Sequence, residues 1–253
     1  HFSFLHMPAP HVETMENKDV NSPNRHLEWM RRDGRPKFDL LDHEVGFVAG
    51  GARATDDDGE LYWRMTQFML PSHGTGPATV LGETYYGFTL VPIDDFSCWM
   101  YCYAWNPERD LHDAEREKLI EGHGIMAKVG PDYLPVRNRA NEYQIDRSRQ
   151  KNETYTGVIG TAEQDIMVQQ SQGLIADRTR ENLTATDAAI VRFRRLLIEG
   201  ALALDEQGVE PDAPRRHDAY RTRPGAWVAT RDKELSEVLI ERFGHERGLV
   251  SSS

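Results

Sequence analysis

Cysteine is nearly missing from this sequence: among 253 residues only Cys98 and Cys102 occur, four positions apart within an apolar, aromatic run. Two thiols are too few for a disulfide framework and too few for a four-thiolate metal centre. No histidine neighbours them, so both read as buried apolar side chains in a protein of a reducing, cytoplasmic compartment. Long hydrophobic stretches are lacking too. No segment approaches the ~20 continuous apolar residues of a membrane-spanning helix, although hydrophobic residues make up 39% of the chain, enough for a substantial core. Positive charge is scarce, since 30 Lys and Arg face 41 Asp and Glu for a formal net charge of -11. Recognition of nucleic-acid phosphates relies on clustered Lys and Arg that displace counterions, so this balance excludes that function class. Repeats and low-complexity tracts are also lacking. The chain opens at His1 with neither Met nor a signal-like apolar stretch, which leads to the expectation of a processed chain or a domain cut from something longer.

What is present has the pattern of strands followed by helices. Residues 1–37, rich in His, Pro, Asn and Arg, predict a short helix and then irregular loop, with no strand. Four β-rich runs follow, Val45–Ala54, Glu60–Leu70, Glu83–Ile93 and Phe96–Trp105, separated by Gly, Asp, Pro and Ser. Near-alternation of bulky apolar residues in the second and third predicts an antiparallel sheet with one wet face, and Pro92 is expected to close its strand. A surface helix is predicted over Asp110–His123 with Asp110 as its cap. Thr161 and Gln164 have capping-box spacing at the start of a second helix that Gly173 can end. The longest signal is Thr186–Gln207, where Ala189, Ile190, Phe193, Leu196, Leu197, Ala201 and Leu204 recur at helical spacing and predict a face packed on the sheet. Lys233–Phe243 makes a last amphipathic helix, and Ser251–Ser253 reads as a frayed tail. Without βαβ alternation this is the α+β pattern: a curved antiparallel sheet gripping a long helix, in a single domain over 1–253.

Candidate chemistry begins at the first residue. His1 and His6 flank "FSFL", and imidazoles are common metal ligands. Five positions rotate a helical side chain by roughly 140°, so both reach one ion only from a distorted or terminal turn; the spacing leaves open a metal pair or two unrelated surface histidines. His11 repeats the interval, but Pro8 and Pro10 break a helix between them. Two histidines and one carboxylate on one face of Fe(II) leave positions for oxygen and substrate. Asp165, between Ile159, Ile166 and Met167 on a helix whose apolar side should face the core, is the candidate carboxylate; serving the helix N-terminus is its alternative role. Other features read as structural. "DDDG" at Asp56–Gly59 is a hairpin turn, "GGARA" marks a strand bend, and Arg194 and Arg195 belong to a solvated helix face. Arg31, Arg32 and Arg53 read as surface residues able to meet a carboxylated substrate through the forked guanidinium.

The segments "HFSFLH", "YYGFTLVPIDD", "WNPERDL", "PVRNRANEYQIDR", "TYTGVIGTAEQDIMVQQSQG" and "TATDAAIVRFRRLLIEGALAL" together resemble, in order and over nearly the whole chain, the catalytic domain of phthalate 4,5-dioxygenase-like Rieske non-haem iron oxygenases. The resemblance implies that His1 and His6, at the end of a "D-S-S-H-x-S-F-L-H" motif, and Asp165, in an "E-Q-D" helix, bind a mononuclear Fe(II). It implies a helix-grip (START-like) fold. It also implies reductive activation of O2 with electrons from an NAD(P)H-dependent reductase through a Rieske 2Fe-2S cluster, and homotrimeric assembly of full-length members. Hydroxylation or O-demethylation of an aromatic, carboxylated small molecule is the activity implied. The Cys-x-His and Cys-x-x-His pairs of the N-terminal Rieske domain do not occur in this sequence, nor does the family aspartate three residues before the first histidine, so a severed catalytic domain is expected. Two alternatives stand beside this reading. A helix-grip domain can bind an apolar small molecule without catalysis, and the amine and imidazole of His1 could together bind copper, which no disulfide or secretion signal supports.

Overall fold

The computed structural model describes residues 23–76, 84–106, 108–122 and 126–243. Along these run α1 (Pro23–Arg32), β1 (Lys37–His43), β2 (Gly46–Ala54), β3 (Glu60–Met69), β4 (His73–Gly76), β5 (Tyr85–Pro92) and β6 (Cys98–Trp105). There follow α2 (Asp113–Ile120), α3 (Arg147–Asn152), α4 (Thr161–Ser171), α5 (Ala188–Gln207), β7 (Gly225–Thr230) and α6 (Leu235–Phe243). The chain divides into two compact units, one of residues 1–34 and 105–181, the other of residues 35–104 and 182–253.

The second unit holds an open sheet of seven strands in the order β1-β2-β3-β4-β5-β6, with β7 beside β3. Its strands run antiparallel and the long helix α5 packs on it, which is the α+β helix-grip arrangement expected from the sequence. β3 organises the sheet. One edge pairs with β2 along its length, from Gly46↔Met69 to Ala54↔Leu61. The other edge is divided: its first half pairs with β7 and its second half with β4, where Gln67 stands opposite Thr75.

Successive side chains of a strand point to opposite faces, and β2 is buried on both. Phe47 and Ala49 meet Ala189, Phe193 and Leu196 of α5. The Phe47 and Phe68 rings stack at 5.1 Å, with Phe193 5.4 Å from Phe68. Val48 and Ala52 face the opposite way, into a cluster of Trp63, Met65, Trp227 and the α6 residues Leu235, Val238 and Leu239. The expected single wet face is therefore absent at the centre of the sheet. The glycines read as a strand bend lie within continuous β2 and serve close packing instead, since a Cβ at Gly50 would sit 2.7 Å from a Leu235 methyl and 3.0 Å from the Trp63 ring.

Other differences have equally local causes. β1 forms where no strand was expected, because its polar "KFDLLDH" pairs with β2 along all seven positions, Lys37↔Ala52 through His43↔Gly46. The stripe of α5 that meets the sheet is narrower than its periodicity: Ile190 is 44% and Leu204 50% exposed. A forked pair from Arg192 to Asp42, at 3.0 and 2.7 Å, adds a polar tie between α5 and β1. β5 ends at Pro92 as expected, and the Gly59 amide donates to Asp57 Oδ1 at 2.7 Å in the predicted turn. Ser251–Ser253 lie outside the described residues. No helix among the described residues is long and apolar enough to cross a membrane.

His43, at the end of β1, is only 8% exposed. The Val45 amide donates to its Nδ1 at 3.4 Å, which leaves the proton of the neutral ring on Nε2. Burial pushes its pKa below the ordinary 6.5, against the raising influence of the Gln67 side chain, Asp42 and Glu44. The unfolded chain therefore binds a proton here where the folded chain does not. The stability attached to neutral His43 is full above pH 6.5 and is lost as pH falls from there to the folded pKa. Denaturant unfolding from about pH 7.5 to about pH 5 should show this loss, and His43→Gln should flatten it. An unchanged slope in the variant would contradict the assignment.

Candidate functional site

The first unit carries the helix of the expected metal ligand. Gly160, with φ +96°, precedes α4, and Thr161 is its first residue rather than its cap. The expected Thr161–Gln164 box is replaced by a different arrangement, in which the Gln164 side chain donates to the Val158 carbonyl at 2.8 Å. The face of α4 turned inward is polar, not apolar as the sequence suggested: Glu163 and Gln164 are its buried residues, whereas Ile166 and Met167 are half-buried. Asp165 is half-buried, with Oδ1 closed off from solvent.

Glu163 is 1% exposed. Its Oε1 accepts the Lys128 amide at 3.0 Å and lies 3.9 Å from Nη1 of Arg137. That same Nη1 donates to the Ile159 carbonyl at 3.3 Å. Lys128 begins a small hairpin closed by Val136 N to Lys128 O at 2.9 Å and by a bridge between Val129 and Pro135. Asn138 then locks the turn: its Oδ1 accepts from Ala140 N at 3.0 Å and its Nδ2 donates to Pro135 O at 3.1 Å. Asn141 Nδ2 returns to the Val136 carbonyl at 2.8 Å. Glu142, Tyr143 and Gln144 follow in left-handed conformation, with φ of 52°, 57° and 50°. Asp146 caps α3 by accepting from Arg149 N at 2.9 Å, and its own amide donates to Gly157 O at 3.0 Å. The segment "PVRNRANEYQID" is thus a polar frame that packs against α4.

His1 and His6 lie outside the described residues. Among the described residues no group of three His, Cys, Asp or Glu side chains could hold a metal ion, so Asp165 is the one expected ligand whose place is defined. A carboxylate on a helix, paired with two imidazoles, is a donor set that suits Fe(II). Cys98 is exposed and Cys102 half-buried, in place of the burial expected for both, because β6 is open to solvent at most positions; partial burial pushes the Cys102 thiol up. Arg53, read as a surface residue, is 1% exposed on the face of β2 shared with Phe47. Arg31 is half-buried and Arg32 exposed. The helix predicted from Asp110 begins at Asp113, since Glu115 turns back to accept the His112 amide at 2.8 Å and the fork of Arg109.

The chain matches the model of the family described as LigXa C-terminal domain like over residues 3–214, a span that includes the polar frame, α4 and all of α5. The chain belongs to this family. A similar protein is the phthalate 4,5-dioxygenase oxygenase subunit of Pseudomonas putida, 31% identical over 184 residues, which cover 71% of this chain and 41% of that protein. Another is the 3-chlorobenzoate-3,4-dioxygenase oxygenase subunit of Comamonas testosteroni, 23% identical over 270 aligned residues, 99% of this chain and 58% of that protein. The chain thus spans about half the length of these relatives, and the resemblance to phthalate 4,5-dioxygenase-like oxygenases read in its motifs is borne out. Within this LigXa C-terminal-like chain, sequence reasoning singled out Asp165 and passed over Glu163 and Arg137. The signal available was the pair Gly157 and Gly160 just before an "EQ" pair, which announces a tight backbone approach at the helix entrance.

That approach can be tested. A Cβ at Gly160 would lie 2.2 Å from the Gly122 carbonyl oxygen, and the φ of +96° disfavours any L side chain. Gly160→Ala should therefore cost at least about 2 kcal/mol in urea unfolding, from strain and overpacking together. A variant as stable as the parent would contradict this.

Proposed function

We propose that residues 1–253 form the catalytic domain of an oxygenase that activates O2 at a mononuclear non-haem iron and hydroxylates an aromatic, carboxylated small molecule. Family membership supports the oxygenase class, and the placement of Asp165 on α4 is the observation that carries the site. His1, His6 and Asp165 are the iron ligands in this reading. When bound, Fe(II) supplies the reductive activation of dioxygen. Asp165 contributes a carboxylate whose Oδ1 is shielded from solvent, which strengthens its attraction for a cation relative to an exposed acid. α4 fixes its direction, because a helical residue has little freedom beyond its rotamers.

The longer protein to which this domain corresponds would add a Rieske 2Fe-2S cluster, accept electrons from an NAD(P)H-dependent reductase and assemble as a homotrimer. The same resemblance extends to oxidative O-demethylation as an alternative outcome at the same site. A domain without iron would leave the second reading, a helix-grip protein that binds an apolar small molecule.

Anaerobic Fe(II) titration, followed by the paramagnetic signal of the nitric oxide adduct, decides between them. One site per chain is expected, lost in Asp165→Ala with the fold retained by circular dichroism. Retained tight binding in the variant would overturn the ligand assignment.

A further inference from the structure

Among the described residues of the first unit Glu163 is the most deeply buried acid, with a side chain 0% exposed. An isolated carboxylate buried in this way costs several kcal/mol unless donors or opposite charge meet it. Both come from outside its helix: one donor, the Lys128 amide at 3.0 Å, and one opposite charge, the Arg137 guanidinium at 3.9 Å. As the third residue of α4 it also lies in the first turn, where the helix dipole favours negative charge. Arg137 in turn holds the Ile159 carbonyl, just before the helix begins. Glycine is required where the two segments meet, since a Cβ at Gly122 would lie 2.9 Å from Glu163 Oε1 and 2.7 Å from Lys128 N. These contacts fix the entrance of α4 against the 126–137 segment. Asp165 is two residues further along, about 3 Å up the axis and about 200° round it, so it projects from the opposite side of the same rigid turn. Any tilt or rotation of that turn displaces Asp165.

We infer that Glu163 and Arg137 are positioning residues for the metal-binding carboxylate: together they pin the first turn of α4 to the Lys128–Arg137 hairpin and so set where Asp165 presents its oxygens. The inference rests on the reading of Asp165 as an iron ligand. It gives the "PVRNRANEYQID" frame a task, which is to hold the partners of Glu163 in place. Asn138 and Asn141 fold the hairpin back on itself and thereby hold Arg137 beside Glu163.

The wild-type chain provides the first test. If the pinned turn favours iron, iron must favour the pinned turn by the same factor. Hydrogen exchange at the Lys128 amide should therefore slow several-fold on anaerobic Fe(II) loading. In variants, Glu163→Ala should weaken Fe(II) binding about tenfold, the lower end of what loss of an outer positioning contact costs. It should also broaden the nitric oxide adduct signal, whereas Glu163→Gln, which can still accept the Lys128 amide, should restore most of the affinity. Arg137→Gln, at a partly exposed position, approaches the same turn independently should Glu163→Ala not fold. Lys128 exchange that ignores iron, or a folded Glu163→Ala with wild-type affinity and an unchanged signal, would overturn the inference. A wild-type chain that takes up no iron would instead remove the ligand reading, and the inference with it.

Discussion

A carboxylate cut off from water must find its counterparts within the protein, and the first unit is arranged around that requirement at Glu163. Two stretches distant in sequence meet there: the Lys128–Arg137 hairpin offers an amide and a guanidinium, and α4 its own N-terminal dipole. None of these is strong alone. Held together by the side-chain bonds of Asn138 and Asn141, they make the entrance of α4 a fixed point rather than a frayed helix end. The left-handed run at Glu142–Gln144 is a further sign of over-determination, because non-glycine residues keep such a conformation only where surrounding contacts enforce it.

The second unit answers a different constraint. β2 lies between α5 on one face and α6 on the other, so its side chains must be small or flat wherever the helices press closest. Alanine and glycine fill that role in the centre of β2, while Phe47, Trp63 and Leu239 supply the bulk around them. Clusters on both faces of one central strand make the sheet a rigid platform, and close-packed interiors of this kind resist even one extra methylene. The helix-grip arrangement follows from that double burial.

Much of this was legible in the amino-acid order, and the failures have physical reasons. Four strand runs were marked by composition and punctuation, two of them and the long helix also by periodicity, and Pro92 ended its strand because it cannot donate to a further ladder. β1, β4 and β7 were hidden: the first is polar and the other two short, and all three are strands by virtue of the partners they pair with. Burial was misjudged at β6, where Trp99, Met100 and Tyr101 are all exposed and the two cysteines read as buried are not. Asp165 was singled out as a candidate ligand by its motif. Glu163 and Arg137 were not, since a buried acid and its arginine look like ordinary surface charge until the chain brings residues 26 apart together. Arg53 was misread for the same reason.

The central claim is that α4 presents Asp165 to an iron that two imidazoles also hold. Iron K-edge X-ray absorption of the Fe(II)-loaded chain, compared with a sample whose His1 and His6 are both replaced by Ala, measures this directly. The account predicts a first shell of nitrogen and oxygen only, with the outer-shell scattering of two imidazoles that disappears in the double variant. A sulfur scatterer, or imidazole scattering unchanged by the loss of both histidines, would contradict it.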